Sequence, residues 1–437
     1  MPNSNDNSGP TTTSQEADAK RIVVVGQGYV GLPLAMAAVR AGYFVTGYET
    51  NAQRTRNLAD GKSYVEDISN EVLSENLATG RYQPTSDSRH LADFDVAVIT
   101  VPTPLNAHRP DLSFIETASQ SVAAHLNQGA CVILESTTYP GTTEEIVVPI
   151  LEAGSGLSAA KDFFVGYSPE RIDPGNAKWN FSNTPKIVSG INAQSLSAVS
   201  QFYASITEEI VAVSGTREAE LAKLLENTFR HVNIALVNEL AIFAAELDVN
   251  LWEAIDAAST KPYGFMKFTP GPGVGGHCLP IDPTYLSWKV MNSLGRSFRF
   301  IELANDVNDH MPDYVVSRIG ALLNTDEKSV NGSRILILGV AYKKNTSDFR
   351  ESPGPVICGL LTSLGADVRV ADTHVAAANF PANFTRVTAD ETEIRQADLV
   401  VIVTDHDDFD WNTVASGAQR VLDTRHRLEA SPTVEHL

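Results

Sequence analysis

The sequence predicts two doubly wound α/β domains joined by a helical domain that contains one long helix. Three observations support this fold class. A β-branched run, RIVVV, leads into a glycine-rich turn, and the same order of pieces returns near the C-terminus. Between them, the segment from Arg217 to Val249 contains neither glycine nor proline. Short strands that alternate with helices indicate open, mostly parallel sheets, and an uninterrupted apolar segment indicates a long helix.

The first domain is predicted at residues 20–215, behind a polar tail at 1–19 that we expect to be disordered. RIVVVG supplies the first strand, LPLAMAAVRAG continues as a helix after the glycine turn, and FVTGYE forms the second strand. Further runs typical of buried strands lie at 95–102 and 130–136. This order of elements predicts a Rossmann-like domain.

A second domain repeats the pattern of the first. SRILILGVAYK resembles RIVVVGQGYVG, LGADVRVAD resembles AGYFVTGYE, and ADLVVIVTDH resembles DFDVAVITVP. We therefore predict a second Rossmann-like domain at 326–437 and assign 216–325 to the central helical domain. The turn GVAYKKN lacks the G-x-G-x-x-G spacing, so we do not expect it to hold a dinucleotide. The long helix is apolar on most sides and is expected to be buried, as a connector or an oligomer interface.

Composition limits the classes of partner and compartment. The chain has 437 residues and a formal net charge of −20, which argues against nucleic acids and anionic membranes as partners. Its three cysteines are too few for a disulfide scaffold and fit a reducing cytoplasm. We find neither an apolar run long enough for a membrane span nor the apolar core of a signal peptide. These features favour a cytoplasmic globular protein.

The turn GQGYVG matches the G-x-G-x-x-G pattern of dinucleotide-binding loops. In that pattern the first glycine permits a tight turn, the second lets the backbone approach a pyrophosphate, and the third lets helix and strand pack. A carboxylate at the end of the second strand, here Glu49, accepts hydrogen bonds from ribose hydroxyls and repels a 2′-phosphate. We therefore expect NAD, although the nearby Arg54 weakens the preference over NADP. The residues expected to contact NAD are Gly26, Gly28, Tyr29, Val30, Gly31, Glu49 and Arg54.

Cys278 lies in the glycine- and proline-rich segment GPGVGGHCLPIDP. Oxidation of an alcohol alone needs no thiol, whereas a thiol adduct of the resulting aldehyde can yield a second hydride. A reactive cysteine in a chain with a dinucleotide loop therefore predicts a four-electron oxidation of an alcohol to a carboxylate. Asp282 is a candidate to position a water, and the glycines around Gly275 are expected to leave backbone amides open to a ligand. The alternative is a buried structural cysteine, and because no second His or Cys has metal-ligand spacing, we expect no metal.

The long helix carries a polar face. Lys223 and Asn227 lie one turn apart, and His231 and Asn238 continue the face. A lysine near a reacting oxygen stabilises developing negative charge. The alternative is a solvated helix face.

Polar residues after strands form a further group of candidates. Thr103 and Thr137 follow the strands at 95–102 and 130–136, and ligands collect at strand ends in doubly wound sheets. The segment AYKKNTSDFRESP contains Lys343 and Arg350, whose cations are candidates to reach phosphates. The alternatives are ordinary turns and a surface loop with salt bridges.

Six segments together resemble the UDP-glucose/GDP-mannose dehydrogenase family of nucleotide-sugar 6-dehydrogenases. They are GQGYVGLP, VPTP, SPERIDPGN, EAELAKLLENTFRHVNIALVNEL, GPGVGGHCLPIDP and KKNTSDFRESP, in family order over about residues 20–430. The resemblance implies an NAD-binding domain, a central helical domain through which two chains dimerise, and a UDP-sugar-binding domain. It also implies that the C6 alcohol of the sugar is oxidised to a uronic acid with two NAD.

The resemblance also assigns roles by position. Cys278 is expected to form a thiohemiacetal and then a thioester. The catalytic residues that it implies are Cys278, Lys223, Asn227, Asp282, Thr137 and Glu170. The cofactor contacts that it adds are Thr103, Thr137 and Arg350. The substrate contacts that it implies are Glu170, Arg171, Lys223, Asn227, Phe268, Gly275 and Lys343.

Two departures from the family pattern bear on the substrate. Enzymes that act on UDP-glucose read G-G-x-C-F-P-K-D, whereas Ile281 stands here in place of that lysine. SPERIDPGN also lacks the second glutamate of the S-P-E-F-L-R-E form. GGHCLPIDP is similar to the branch acting on UDP-N-acetylhexosamines, and its surroundings look most like UDP-N-acetylglucosamine 6-dehydrogenases. UDP-N-acetylmannosamine and UDP-glucose remain alternatives.

Two readings from other classes stay open. A two-electron hydroxy-acid or acyl dehydrogenase would share the domain order but produce one NADH per substrate. A non-catalytic NAD-binding regulatory protein would bind the cofactor without turnover. The presence of Lys223, Cys278 and Asp282 together favours the four-electron enzyme.

Overall fold

A computed structural model describes most of the chain. The described residues are 20–106, 109–172, 176, 178–276, 279–377, 380 and 384–437. Contacts between residues divide the chain into two compact units: residues up to Thr103 with Asp111–Lys223, and Pro104–Pro110 with Leu224–Leu437. Among the described helices, none is both long enough and apolar enough to cross a membrane.

The strands and helices are numbered in chain order. The described strands are β1 (Arg21–Val25), β2 (Phe44–Tyr48), β3 (Tyr82–Thr85), β4 (Val96–Ile99), β5 (Leu105–Asn106), β6 (Arg109–Pro110), β7 (Cys131–Leu134), β8 (Phe164–Tyr167), β9 (Lys186–Gly190), β10 (Ile210–Ala212), β11 (Arg334–Leu338), β12 (Asp367–Ala371), β13 (Thr385–Arg386), β14 (Leu399–Ile402), β15 (Val421–Asp423) and β16 (Val434–His436). The described α-helices are α1 (Gly31–Arg40), α2 (Ala52–Ala59), α3 (Asn70–Ala78), α4 (Ser113–Ala123), α5 (Val148–Ser155), α6 (Ala193–Ala204), α7 (Thr216–Glu246), α8 (Leu251–Ser259), α9 (Asp282–Leu294), α10 (Arg299–Asp309), α11 (Met311–Thr325), α12 (Pro353–Ser363), α13 (Glu391–Gln396) and α14 (Trp411–Gly417).

The first unit is built on an eight-stranded sheet with the order β10-β9-β8-β7-β4-β1-β2-β3. β1 is central and pairs in parallel with β2 and β4, and its β-branched residues are buried because helices cover the sheet on both faces. The pairing of β8 with β9 is antiparallel, which reverses direction at one side of the sheet. α1 follows β1 directly, is buried from Gly31 to Val39, and ends at Gly42, whose φ of +95° no helix can continue.

The second unit contains a six-stranded sheet with the order β13-β12-β11-β14-β15-β16, in which every pairing is parallel. β11 occupies the central position that β1 has in the first sheet, with β12 and β14 in the places of β2 and β4. The structure therefore confirms the predicted fold class of two doubly wound Rossmann-like sheets joined by a helical region. The three-part division at residues 215 and 325 stays a prediction.

The long helix α7 differs from the prediction at its C-terminal end. It ends at Glu246 instead of Val249, because Asp248 adopts a left-handed φ of +56° and the Asn250 side chain caps α8 by accepting a hydrogen bond from the Glu253 amide. Within one chain, α7 is buried on only part of its surface, and its burial in an oligomer interface stays a prediction. Leu225 is 62% exposed and Leu247 is 73% exposed.

Candidate active site

The glycine turn after β1 has the three properties of a dinucleotide loop. Gly26 has a φ of +92°, and a Cβ there would lie 2.7 Å from the Thr100 carbonyl oxygen. A Cβ at Gly31 would lie 1.9 Å from the Gly26 carbonyl oxygen, so helix and strand could not pack. A Cβ at Gly28, by contrast, would meet nothing within 4 Å. The first and third glycines are therefore required by the fold, and the second leaves open space of the kind a pyrophosphate needs.

The residues between these glycines start α1. The Leu32 amide donates to the Gly28 carbonyl at 3.1 Å, so the amides of the loop gather at the N-terminus of the helix. The Tyr29 and Val30 side chains are half-buried, and Tyr29 packs against the core of the unit. The loop thus presents backbone rather than side chains, and the positive end of the helix dipole favours an anionic ligand there.

Glu49 lies at the end of β2 and is 8% exposed. Its Oε1 accepts a hydrogen bond from the Asn51 amide at 2.9 Å, and its Oε2 accepts one from the Gln27 amide at 3.4 Å. A carboxylate has about four acceptor positions, so these two bonds fix Glu49 and leave capacity for ribose hydroxyls. Arg54 Nη1 lies 4.0 Å from Glu49 Oε2, which places Arg54 at the same end of the loop. The donor and acceptor groups of this loop fit NAD.

Thr103 and Thr137 are half-buried and follow β4 and β7, as predicted. The segment after Thr137 is held by Glu220, a residue that the sequence analysis missed. Glu220 accepts hydrogen bonds from the Gly141 amide at 2.5 Å, the Thr143 amide at 2.9 Å and the Thr143 hydroxyl at 2.7 Å. Burial raises the pKa of Glu220 to about 7. Because Glu220 precedes Lys223 on α7, it fastens the helix to the loop that carries Thr137.

Glu170 follows β8 and lies close to two lysines. Its Oε1 accepts hydrogen bonds from the Arg171 and Ile172 amides at 2.6 and 2.5 Å. Burial disfavours ionisation of Glu170, but the charge of Lys186, with further help from Lys223, lowers its pKa overall. Lys223 is itself 8% exposed, so the alternative of a solvated helix face does not hold at this position. Glu170 and Lys223 both belong to the first unit, and the charge of Lys223 acts on the Glu170 carboxyl.

The Arg171 guanidinium stabilises the loop after β8 that also carries Glu170. Its Nη1 donates to the Pro185 carbonyl at 2.6 Å. Its role as a substrate contact stays a prediction.

In the second unit, Asn227 and Asp282 form a direct pair. Asn227 Nδ2 donates to Asp282 Oδ2 at 2.5 Å. Asp282 is buried at the first turn of α9, and Asn227 lies one turn after Lys223 on α7. Cys278 lies outside the described residues. Of the catalytic residues predicted in the second unit, the structure therefore describes Asn227 and Asp282.

The other two cysteines are excluded as nucleophiles. Cys131 and Cys358 are buried and free, and burial raises the pKa of each thiol to about 12. A thiol acts as a nucleophile in its thiolate form, which such a pKa suppresses at neutral pH. Since the chain contains three cysteines, Cys278 is the remaining candidate.

The glycines before Cys278 contact protein more closely than expected. The Gly271 amide donates to Asn238 Oδ1 at 2.9 Å, and the Gly276 amide donates to the Arg350 carbonyl at 3.0 Å. A Cβ at Gly275 would lie 2.8 Å from the Glu351 carbonyl oxygen. The expectation of open amides is therefore wrong for Gly271 and Gly276. The substrate role of Gly275 stays a prediction, because packing alone requires glycine there.

Three further predicted residues lie in the second unit. The Phe268 ring is half-buried and meets the Phe229 ring edge-to-face with centroids 5.9 Å apart. Lys343 is half-buried in the loop after β11. Arg350 is exposed, and its Nε and Nη2 donate to the Asp348 carboxylate at 2.9 and 2.6 Å. A salt bridge holds Arg350 in this loop, and its contact with NAD stays a prediction.

Arg425 is a second residue that no motif revealed. Its Nε donates to the Val403 carbonyl at 2.7 Å, and a Cβ at Gly271 would lie 2.9 Å from its Nη1. Burial lowers the pKa of this guanidinium. This half-buried cation beside the glycine segment is a candidate contact for an anion. A single arginine in the sequence gives no indication of such a role.

Comparison with known proteins agrees with this geometry. Three models of the UDP-glucose/GDP-mannose dehydrogenase family match: the NAD binding domain at residues 20–207, the central domain at 217–310 and the UDP binding domain at 336–430. A UDP-N-acetyl-D-mannosamine dehydrogenase of Pyrococcus horikoshii is 34% identical over 422 residues, covering 94% of this chain and 97% of the relative. A UDP-N-acetyl-D-glucosamine 6-dehydrogenase of Pseudomonas aeruginosa is 38% identical over 359 residues, covering 82% and 83%.

A solved structure agrees as well. The UDP-D-ManNAc dehydrogenase from Pyrococcus horikoshii superposes with a TM-score of 0.86 at 33% identity, covering 95% of this chain and 98% of that one. These findings confirm the family expected from the motifs, with NAD as cofactor and a UDP-sugar as substrate. The chain belongs to the UDP-glucose/GDP-mannose dehydrogenase family and is an NAD-dependent nucleotide-sugar dehydrogenase.

Proposed function

We propose that this protein oxidises the C6 alcohol of a UDP-N-acetylhexosamine to the uronic acid in two steps, with UDP-N-acetylglucosamine as the first candidate. The observation that carries the proposal is the pair formed by Asn227 and Asp282, because it joins the helix that bears Lys223 to the end of the cysteine segment. The exclusion of Cys131 and Cys358 supports Cys278 as the nucleophile.

The residues divide the chemistry as follows. Bound NAD supplies the acceptor for one hydride in each step. Lys223 and Asn227 stabilise negative charge on the C6 oxygen as the alcohol loses its proton and hydride. The Cys278 thiolate adds to the aldehyde carbon and forms a thiohemiacetal, whose oxidation leaves a thioester. Asp282 and Glu170 assist the water that cleaves the thioester, which releases the carboxylate and restores the thiol.

The choice of sugar is supported by two lines. Ile281 replaces the lysine expected in enzymes acting on UDP-glucose. The relatives named above act on UDP-N-acetylglucosamine or UDP-N-acetylmannosamine, and the second sugar is therefore the alternative. The two differ only at C2 of the hexose.

An NADH assay across four UDP-sugars tests the proposal. We expect the highest kcat/KM with UDP-N-acetylglucosamine, two NADH per sugar, and low rates with UDP-N-acetylmannosamine, UDP-glucose and UDP-N-acetylgalactosamine. Cys278→Ser should release no uronic acid, whereas the control Cys358→Ala should keep its activity. One NADH per sugar would support the two-electron alternative, and NAD binding without turnover of any UDP-sugar would support the regulatory one.

We also propose that the protein is a homodimer formed through α7. The exposed apolar residues along this helix recur at intervals of three, four or seven residues, the spacing of a helix–helix seam. They are Leu225, Phe229, Leu236, Leu240 and Phe243, and Leu247 follows directly after the helix. Leu236→Asp should give a monomer by light scattering, whereas Leu364→Asp, at an exposed leucine of the second sheet unit, should leave the mass unchanged. A monomeric wild-type protein would refute the dimer.

A cytoplasmic setting is proposed on chemical grounds. The buried free thiols of Cys131 and Cys358 and the dependence on NAD both fit a reducing compartment. Fractionation of cells that express the tagged protein tests this assignment.

A further inference from the structure

A cluster of ionisable side chains is buried beneath Glu170 in the first unit. Glu135 directly follows β7, Lys186 is the first residue of β9, and Tyr203 lies on α6. Lys186 is 4% exposed, and Glu135 and Tyr203 are fully buried. Burial of a lysine and a glutamate this deep is costly unless the charges are paired. Neither residue belongs to a motif that the sequence analysis singled out.

Lys186 is the centre of the cluster. Its Nζ makes an ion pair with Glu135 Oε1, donates to the Pro169 carbonyl at 3.1 Å, and lies 3.5 Å from Glu170 Oε2. The Tyr203 hydroxyl donates to the second oxygen of Glu135 at 2.7 Å. Lys186 therefore contacts Glu135 on one side and Glu170 on the other, and Glu170 Oε2 has no hydrogen-bond partner among the described groups beyond this ion pair.

The charges of the cluster do not balance around one lysine. Two carboxylates that face one cation in a dry interior compete for ionisation. Burial raises the pKa of Glu135 to about 7, whereas Lys186 and, from α7, Lys223 help to lower that of Glu170. Burial and the neighbouring Glu135 raise the pKa of Tyr203, so the tyrosine stays protonated as a donor. Glu135 and Glu170 therefore compete for the single charge of Lys186.

We propose that Lys186 is a positioning residue that keeps Glu170 ionised and aimed, while Glu135 on its other side competes for the same cation. The inference rests on the proposed function, in which Glu170 assists a water at the thioester. An ionised Glu170 can accept a proton from that water, whereas a protonated one cannot. Lys186 acts through Glu170 and is not itself expected to touch the sugar.

Three variants separate the electrostatic role from a structural one. Lys186→Met removes the cation, so the acid limb of the pH profile of kcat should move up by about one to two pH units. At a pH on the acid limb, this corresponds to a loss of about tenfold or more that shrinks at alkaline pH. Lys186→Arg should keep the wild-type profile. Lys186→Met combined with Glu135→Gln removes one positive and one negative charge and should move the acid limb back toward the wild type.

A second readout does not depend on turnover. Infrared spectra recorded as the pH is lowered should show the protonated Glu170 carboxyl, identified as the band that Glu170→Gln abolishes, at a higher pH in Lys186→Met than in the wild type. NAD affinity of each variant reports whether the first unit remains folded.

The outcomes are distinguishable. If Lys186→Met lowers kcat equally at all pH values, or the double variant fails to restore the acid limb, Lys186 is only structural and the inference is overturned. If the wild type oxidises no UDP-sugar, the proposed function fails, and the pH at which the Glu170 band appears then tests the role of Lys186 on its own. A Glu170 band that appears at the same pH in the wild type and in Lys186→Met contradicts the inference in either case. Should Lys186→Met not fold, Lys186→Arg and Glu135→Gln carry the same comparison.

Discussion

The two sheets have the same strand order around their central strands, yet their first turns differ. In the first unit, α1 begins at Gly31, immediately after the glycine turn. In the second, α12 begins only at Pro353, after a loop that contains Lys343 and Arg350. Ala341 stands at the place of Gly28 and is fully buried in the core of its unit. The space left open in the first turn is therefore filled in the second.

The acid at the end of the second strand shows the same contrast. Glu49 accepts two hydrogen bonds from backbone amides, and Arg54 Nη1 lies 4.0 Å from Glu49 Oε2. Asp372 accepts hydrogen bonds from four amides and from a buried imidazole, so its acceptor positions are filled by protein. These donors are the amides of Val340, Ala341, His374 and Val375, and His406 Nε2. At one topological position, therefore, protein donors fill the carboxylate in the second sheet, whereas the carboxylate in the first keeps free acceptor capacity.

The largest expected effect comes from removing the charge of Asp372. Asp372→Asn should lower the free energy of unfolding by about 3 kcal/mol or more, because hydrogen bonds to a charged group contribute about 1.5–3 kcal/mol each and one acceptor oxygen becomes a donor that faces amides. Denaturant unfolding measures the loss, and NAD affinity of the folded variant should not change. A loss below about 1 kcal/mol would mean that Asp372 is no more structural than Glu49.

The matching change in the first unit should affect the cofactor instead. Glu49→Gln should raise the Kd of NAD about 10- to 100-fold, since hydrogen bonds to a charged group contribute about 1.5–3 kcal/mol. Its effect on unfolding should be small, because the amide oxygen of glutamine can still accept a hydrogen bond. Calorimetric titration with NAD checks this, with Asp372→Asn as the control. An unchanged Kd would show that Glu49 does not contribute to NAD binding, so that the two acids would not differ in function.

The glycine turn provides a third test. Gly28→Ala should weaken NAD binding by about tenfold with little change in stability, because the added Cβ enters open space next to the loop. Gly31→Ala should instead destabilise the unit, because its Cβ would collide with the Gly26 carbonyl. Thermal melts and NAD titrations of both variants separate the two effects. Equal loss of stability in both would show that the space at Gly28 is not free for a ligand.

The smallest effect is a dependence of stability on pH. Burial acts to raise the pKa of Asp372, but the hydrogen bonds from His406 and the amides of Val340 and Val375 bring it well below its usual range. A depressed carboxyl pKa stabilises the fold above the unfolded pKa of about 3.9, and this contribution is lost as pH falls below it. The wild type should therefore lose up to about 1.4 kcal/mol per pH unit there, and Asp372→Asn should lack this part of the slope. If the free energy of unfolding fell with decreasing pH in the same way for both proteins, the assignment of this slope to Asp372 would be contradicted.

The sequence was sufficient for features that depend on local patterns. The β-branched run of β1, the glycine turn, Glu49 and the three repeated strand pieces predicted both sheets and the cofactor loop. The polar face of α7 identified Lys223 and Asn227. Each of these signals consists of neighbouring residues with a fixed spacing, which the backbone of a strand, turn or helix converts directly into position.

Other features depend on partners distant in sequence. Glu220, Lys186 and Arg425 are charged residues that no spacing pattern singles out, and only folding shows that each packs against another element. Gly275 looked like a residue for ligand approach, yet the loop at Glu351 fills the space beside it. The sequence did not show which face of α7 is buried within one chain, because an apolar helix face has the same pattern whether it covers a core or a second chain.

The burial of Cys131 and Cys358 has a practical consequence for handling the protein. A small alkylating reagent added to the native chain can reach neither of these thiols until the sheets open. Any adduct on the folded protein therefore reports Cys278. If Cys278 is the nucleophile proposed above, intact mass counts the competent molecules in a preparation, and protection of that mass shift by a UDP-sugar measures occupancy without any turnover.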